Sequence, residues 1–452
     1  MNRIYAHFHN GFRRAAAERD GEGRRIGAEL KFPLVNDDGT AASLETARAM
    51  WQHLVDRGWS AVHDPMSGGL VGAARPGEKN DTLASCETAY CKTEFSLAHV
   101  ADLWELKAAI GELIAELRPF SQRHGVYLLA YGMQPVSPPG DRLMMKKTRT
   151  CVWGKVFGAN RCIAPADGDD VCLFTVNAAT HVHLSVSREE AIPAVNVLNG
   201  FSGAQLALTA HSSVWKGSED ASCKCAAEML WDQWMPDANR VGVPEKQFAD
   251  LEDYVRTVAS FKPVYVKRDG MPVILRDYPT FAAYYACERA KGYDVDGREV
   301  AVVPEPADID LHSTCYWFNA RLSRYYTVEN RTNDQQPPDD LLCVPALTLG
   351  LISSLAECVE ALRSYSWDEL RAARPAACRQ GLAGAVGGRP LTDFAAGMLA
   401  LARLGLERRE RGEEVLLEPL ERRLRDRCCP ADEAAELFRS GGIASLIEAR
   451  KL

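Results

Sequence analysis

Nowhere in the 452 residues do about 18 apolar residues follow one another, so no membrane-spanning helix is expected. The longest apolar stretch, 341–355, is broken by Pro345, Thr348 and Ser353. The opening MNRIYAHFHNGFRRAAAERDGEGRR has neither the apolar run nor the small-residue cleavage pattern of a secretory signal, and the expected compartment is the cytoplasm. Positive charge is not in excess: 53 Lys and Arg against 61 Asp and Glu give a net charge of −8, which argues against a general nucleic-acid binder. No repeat of about 20–50 residues is visible. Neither GxGxxG nor GxxxxGK[ST] occurs, and the glycines of the stretch 65–81 lack that spacing. Cysteine is plentiful, at 14, but unpaired in pattern: Cys223-x-Cys225 and Cys428–Cys429 have no second CxxC, which excludes a zinc ribbon and leaves thiols that behave as small buried hydrophobes.

What is present is an ordinary globular balance, 46% hydrophobic and 25% charged, in a chain long enough to bury a core without staples. The expected class is α+β. Residues 1–338 mix short strands with helices and form the sheet-based core; 339–452 read as a helical part packed on that same core. Ser43, with Glu45 behind it, caps a helix toward Trp59, and 101–124 is another. A helix over 339–362 is apolar nearly all round and suits the core. The Arg- and Glu-rich 401–427 reads as a solvated helix pair bent at Pro419. Loops are expected at 65–81 and 134–147.

Four segments alternate with period two and share an oddity. Ile26 to Leu34 carries Glu29 and Lys31 opposite its apolar face. Cys91 to Leu97 carries Lys92 and Glu94. Phe174 to Val186 carries Thr175, Asn177, His181 and His183. A strand near 323–331 puts Tyr325, Thr327, Glu329 and Arg331 together. On one sheet these would line a single face. Clustered carboxylates repel unless cations lie between them. Carboxylates with an occasional imidazole suit Mg²⁺ or Mn²⁺, and the planar fork of Arg331 suits a phosphate or carboxylate. Such a floor fits phosphoryl transfer from a nucleotide without a phosphate loop.

In order and spacing the chain resembles the glutamate–cysteine ligase family, in particular its bacterial and plant-type group. The blocks are Ile26-Gly-Ala-Glu-Leu-Lys31, Cys86 to Glu94, Thr180-His-Val-His-Leu184, Leu206 to Ser213 followed by Trp215 to Trp231, Tyr326-Thr-Val-Glu-Asn-Arg331, and the tail with Cys429-Pro-Ala-Asp432 and Gly441-Gly442-Ile443. The resemblance implies a curved antiparallel sheet forming the active-site floor, with helices on its outer side, as in glutamine synthetase and the guanido kinases. It implies ATP-dependent ligation of a carboxylate to an amine through an acyl phosphate, giving a γ-glutamyl amide with cysteine or an unusual amino acid. ATP and Mg²⁺ or Mn²⁺ would be cofactors. Glu29, Glu87, Glu94, His181 and Glu329 would ligate metal, and Arg331 would hold the transferred phosphoryl group. His183 lies beside the metal ligand.

Three departures bear on this. The family's second strand Glu is Lys31 here, which cannot ligate Mg²⁺ and makes its ammonium a candidate catalytic cation. Glu87 and Glu94, seven apart, face opposite ways unless a turn near Ala89-Tyr90 brings both inward. The family's arginine after the substrate-loop block is replaced by Lys216 or Lys224 at most. Arg149, in the basic run 144–155, and Lys92 complete the candidate substrate- and ATP-binding set. Two other readings stay open. One is an amidohydrolase-type enzyme seeded by His181-Val-His183, with His211 and His312 as later ligands. The other is a non-catalytic relative that binds an amino acid or nucleotide. Small-molecule substrates are the expected partners; neither nucleic acid nor membrane is.

Overall fold

A computed structural model describes residues 1–19, 23–77, 80–156, 161–234 and 239–452. The main sheet has nine strands, numbered here in chain order: β1 (Ile26–Asn36), β2 (Ser60–His63), β3 (Leu70–Arg75), β4 (Thr82–Cys86), β5 (Lys92–Ser96), β6 (Val126–Leu128), β7 (Ala179–Ser185), β8 (Ala320–Leu322) and β9 (Thr327–Asp334). Their spatial order is β8-β9-β7-β1-β5-β4-β3-β2, with β6 pairing the end of β1, and every pairing is antiparallel. The fold is therefore a mixture of helices and antiparallel sheet.

Alternation on β1 decides which face is core. Ile26, Ala28, Leu30, Phe32 and Leu34 are all buried, and helix Cys343–Ser353 packs against β1 and β7 from that side. Ten of its residues are buried, as an apolar helix with almost no polar face requires. Helices Arg188–Gly200 and Ser202–Thr209 back β8 and β9. From Pro338 onward the chain is helical apart from the hairpin 385–390. A second, four-stranded antiparallel sheet (Tyr265–Arg268, Met271–Ile274, Ala290–Tyr293, Glu299–Val302) puts Tyr265 and Lys267 on the cleft, and helix Asn2–Arg19 packs on helices Leu251–Ser260 and Arg188–Gly200; neither was expected.

The helix ends follow local chemistry. Ser43 accepts from Thr46 N and Asp102 from Trp104 N and Glu105 N, starting Leu44–Val55 and Leu103–His124. Four expectations need correction. Stretch 65–81 is no plain loop, because β3 lies within it. Phe174 to Thr175 end a 3₁₀ helix begun at Asp170, and the strand starts only at Ala179. The helix expected over 339–362 breaks at Ser354, whose hydroxyl bonds the Gly350 and Leu401 carbonyls, and turns by 85°. Pro419 begins helix Glu418–Asp426 and does not bend one; a proline fits the first turn because the N–H it lacks would have no helical partner there. Among the described residues no single helix is long and apolar enough to cross a membrane. All fourteen cysteines are free.

Candidate active site

Strand register brings the charged residues together. Glu29 on β1 lies opposite His181 on β7, Lys31 opposite Glu94 on β5, and His183 opposite Glu329 on β9. Directly paired residues share a face. All six therefore stand on the face opposite the apolar core. Glu87 arrives by another route. Strands β4 and β5 are a hairpin, and residues 87–91 turn between them, with Glu87 N bonded to Lys92 O. This is the turn that the sevenfold spacing of Glu87 and Glu94 demanded.

The floor opens into a cleft of about 1350 Å³ lined by Glu29, Lys31, Glu87, Glu94, His181, His183, Glu329 and Arg331. Lys31 Nζ lies 2.6 Å from Glu94 Oε2, 3.3 Å from Glu29 Oε2, 3.2 Å from His181 Nδ1 and 4.0 Å from Glu87 Oε1. Burial opposes its charge, but Glu94, Glu29 and Glu87 outweigh that and raise its pKa. Burial would also raise Glu29; Lys31 and His183 reverse the effect and hold the carboxyl well below the usual range. Glu329 is only 2% exposed. It accepts from Arg321 Nε at 2.7 Å and from Arg331, and these guanidiniums overcome burial to keep it ionised. His181 goes the other way: burial, then Lys31 and Arg331, push it down to about 3, so it is neutral. Burial also opposes charge on His183, yet Glu29 and Glu329 outweigh it and raise its pKa.

One grouping differs from the sequence expectation. The ligand atoms of Glu29, His183 and Glu329 all lie within 4.8 Å of one another. His183, not His181, completes this set; His181 turns its Nδ1 to Lys31 and to Arg331 Nη1, at 3.3 Å. Lys92 shares the face of Glu94 but is buried and does not line the cleft; it is bonded to Glu87 Oε2 at 2.7 Å, Phe174 O at 2.8 Å and Asn177 Oδ1 at 3.0 Å.

A match to the model of glutamate-cysteine ligase family 2 runs from residue 25 to residue 449. The chain belongs to this family. It is 30% identical over 188 residues to the curated "Putative glutamate--cysteine ligase 2-3" of Rubrobacter xylanophilus, a match covering 41% of this chain and spanning about half, 47%, of that relative's length. In fold it is similar to the glutamate–cysteine ligase of Francisella tularensis, whose structure is a complex with AMP. That likeness has a TM-score of 0.51 at 12% identity and covers 95% of this chain and 88% of that one; it bears on fold alone.

With the family in view, the remaining expected residues sort into two groups. Arg149 lines the cleft. Its guanidinium lies 5.4 Å over the Trp153 ring and, among the described residues, makes no hydrogen bond or ion pair. Lys216 and Lys224 do not line the cleft, which corrects their expected role. Lys216 Nζ rests 3.9 Å over the Trp215 ring. Lys224 pairs with Asp432 at the start of helix Pro430–Arg450, an anchor between two parts of the chain. The hydrolase reading fails on geometry as well. His211 is buried between Gln335 O and Arg450 Nε, and His312 stacks on Phe281 and contacts Val258 O; neither joins His181 and His183.

Sequence reasoning missed Arg321, directly opposite Glu329 in the β8–β9 hairpin. The available signal was the segment Arg321-Leu-Ser-Arg-Tyr-Tyr-Thr, a turn between two alternating runs. It also missed Lys267 and Arg324, which join Lys147 and Arg149 of the basic run on the cleft wall. These neighbours depress Lys267 after burial has done so.

Proposed function

We propose that this chain is an ATP-dependent carboxylate–amine ligase that forms a γ-glutamyl amide. The observation that carries the proposal is the floor itself: carboxylates, imidazoles and guanidiniums from β1, β5, β7 and β9 face one cleft, in a chain of this family. In the proposed reaction the γ-carboxylate of glutamate attacks the terminal phosphorus of ATP, ADP leaves, and an acyl phosphate results. The amine of an acceptor amino acid then displaces inorganic phosphate. The nucleotide in the Francisella structure accords with a nucleotide in this cleft. We infer further that the sheet is concave, of the glutamine-synthetase kind, with 1–338 and 339–452 as two parts of one domain, and that the setting is cytoplasmic, which suits free thiols.

The residues fit a divalent ion. Glu29, His183 and Glu329 offer two carboxylate oxygens and an imidazole nitrogen within 4.8 Å of one another, a donor set suited to Mg²⁺ or Mn²⁺. Bound there, such an ion supplies charge neutralisation for the triphosphate. The chain's own groups do the rest. Arg331 commits Nη1 to Glu329 and His181 and has donors left for phosphoryl oxygens. Arg149, Lys147, Lys267 and Arg324 give the cleft wall positive charge for carboxylate or phosphate groups.

The test is turnover. The protein is incubated with glutamate, a mixture of amino acids, ATP and Mg²⁺, and ADP and ligated dipeptides are followed by mass spectrometry. Amino-acid-dependent ADP with a γ-glutamyl dipeptide is expected. Nucleotide or amino-acid binding without turnover would overturn the reading in favour of a non-catalytic relative.

A further inference from the structure

An ordinary buried lysine needs one carboxylate. Lys31 has four acceptors converging on it, from four segments: Glu29 beside it on β1, Glu94 from β5, Glu87 from the turn after β4, and His181 from β7. The contact between two of these acceptors is informative. Glu29 Oε2 and His181 Nδ1 lie 3.0 Å apart, and each is within 3.3 Å of Nζ. Arg331 Nη1 also faces Nδ1. A nitrogen faced by two cationic donors serves as acceptor, so it cannot also donate to Glu29. Two acceptors so close together are tolerated when they share a cation, as ligands around an ion do. Glu29 then divides its oxygens. Oε2 serves Lys31, while Oε1 lies 3.2 Å from His183 Nε2, toward Glu329.

We propose that Lys31 is a built-in cation of this cleft. Its ammonium fills, among Glu29, Glu87, Glu94 and His181, the place of a divalent ion, and leaves a single metal position at Glu29, His183 and Glu329. The charges agree. Glu29, Glu87, Glu94 and Glu329 are met by Lys31, Lys92, Arg321 and Arg331, so the floor is balanced with only one ammonium at its centre. This deepens the ligase reading by setting its metal count, but the count is read without turnover, so either can fail alone.

The experiment is a Mn²⁺ titration of the full chain, without nucleotide, followed by electron paramagnetic resonance. The wild type is expected to hold one Mn²⁺ per chain and Lys31→Met two, because the variant frees Glu87, Glu94, one Glu29 oxygen and His181. Thermal melting gives an independent reading. Lys31→Met should melt below the wild type in EDTA and recover most of that loss in Mn²⁺, while the wild type shifts far less. If Lys31→Met does not fold, Lys31→Gln, whose amide still donates to Glu94, takes its place with the same expectation. A wild type holding two or more ions, a variant holding no more than the wild type, or a melting loss that Mn²⁺ leaves in place would overturn the proposal.

Discussion

Burial does not tell apart two of the clusters of buried charge in this chain. In the helical part, Arg423 is 2% exposed, as Glu329 is on the sheet floor. Arg423 gives Nη1 to Gln336 Oε1 at 2.8 Å and Leu208 O at 3.2 Å, and Nη2 to Asp340 Oδ2 at 2.6 Å. Each partner is fixed, none lines the cleft, and the result ties helix Glu418–Asp426 to the end of β9 and to helix Ser202–Thr209. On the floor the partners are shared. Glu329 takes two guanidiniums, and His181 Nδ1 faces Lys31, Arg331 and Glu29 at once. Saturated charge closed off by protein holds a fold together; crowded, shared charge beside a cleft is poised to exchange partners with a ligand.

The contrast breaks or holds on two substitutions. Glu329→Gln keeps the shape and one acceptor but removes the charge that Arg321, Arg331 and the proposed metal position share. Turnover should fall by about 10³-fold, the scale of a lost charge interaction at a reacting centre, while far-ultraviolet circular dichroism stays that of the wild type. Arg423→Met should do the reverse. Breaking a buried pair costs about 3–5 kcal/mol. The lower end is expected here because Arg422 Nη2, at 3.5 Å, still faces Asp340. Urea denaturation reads that loss, and kcat measured well below the melting temperature should stay within about twofold. Equal activity losses in both variants would erase the distinction.

Much of the floor was legible because a strand has period two. Glu29 and Lys31 opposite an apolar row on β1 define a polar face without any coordinates, and the spacing of Glu87 and Glu94 called for a turn that β4 and β5 supply. Tertiary contacts decided the rest. Phe174 to Ala178 alternate like a strand, yet Lys92 takes the Phe174 carbonyl and the Asn177 side chain and Asp170 accepts from Arg161 N and Cys162 N, so the segment coils. The choice of His183 over His181 at the proposed metal position was hidden because Lys31 faces His181 across strands. Arg321 was hidden because its strand is three residues long. Lys224 was misplaced because Asp432, more than 200 residues on, takes its ammonium.

Asp334 tests where the boundary between the two kinds of charge falls, because it shares features of both. It lines the cleft, yet its Oδ2 is fixed by His211 N at 2.7 Å and Ser212 Oγ at 2.8 Å. A bulge between Asn330 and Asn333 shifts the register, so that Asp334 pairs with Ala179 on the face that carries His181. Burial outweighs these donors and raises its pKa to about 7. A carboxyl near 3.9 when unfolded and near 7 when folded keeps its proton longer in the native state. Its contribution is therefore complete below about pH 4 and is lost as pH rises toward 7. Asp334→Asn keeps an acceptor for both donors and cannot ionise. Relative to the wild type it should be equally stable at pH 4 and more stable at pH 8, the gap opening as pH rises between those values, measured by chemical denaturation across that range. If turnover survives, Asp334 belongs with Arg423 among the saturated groups. Loss of turnover with stability unchanged would move it to the floor, and the reactive set would then extend past the bulge to the end of β9.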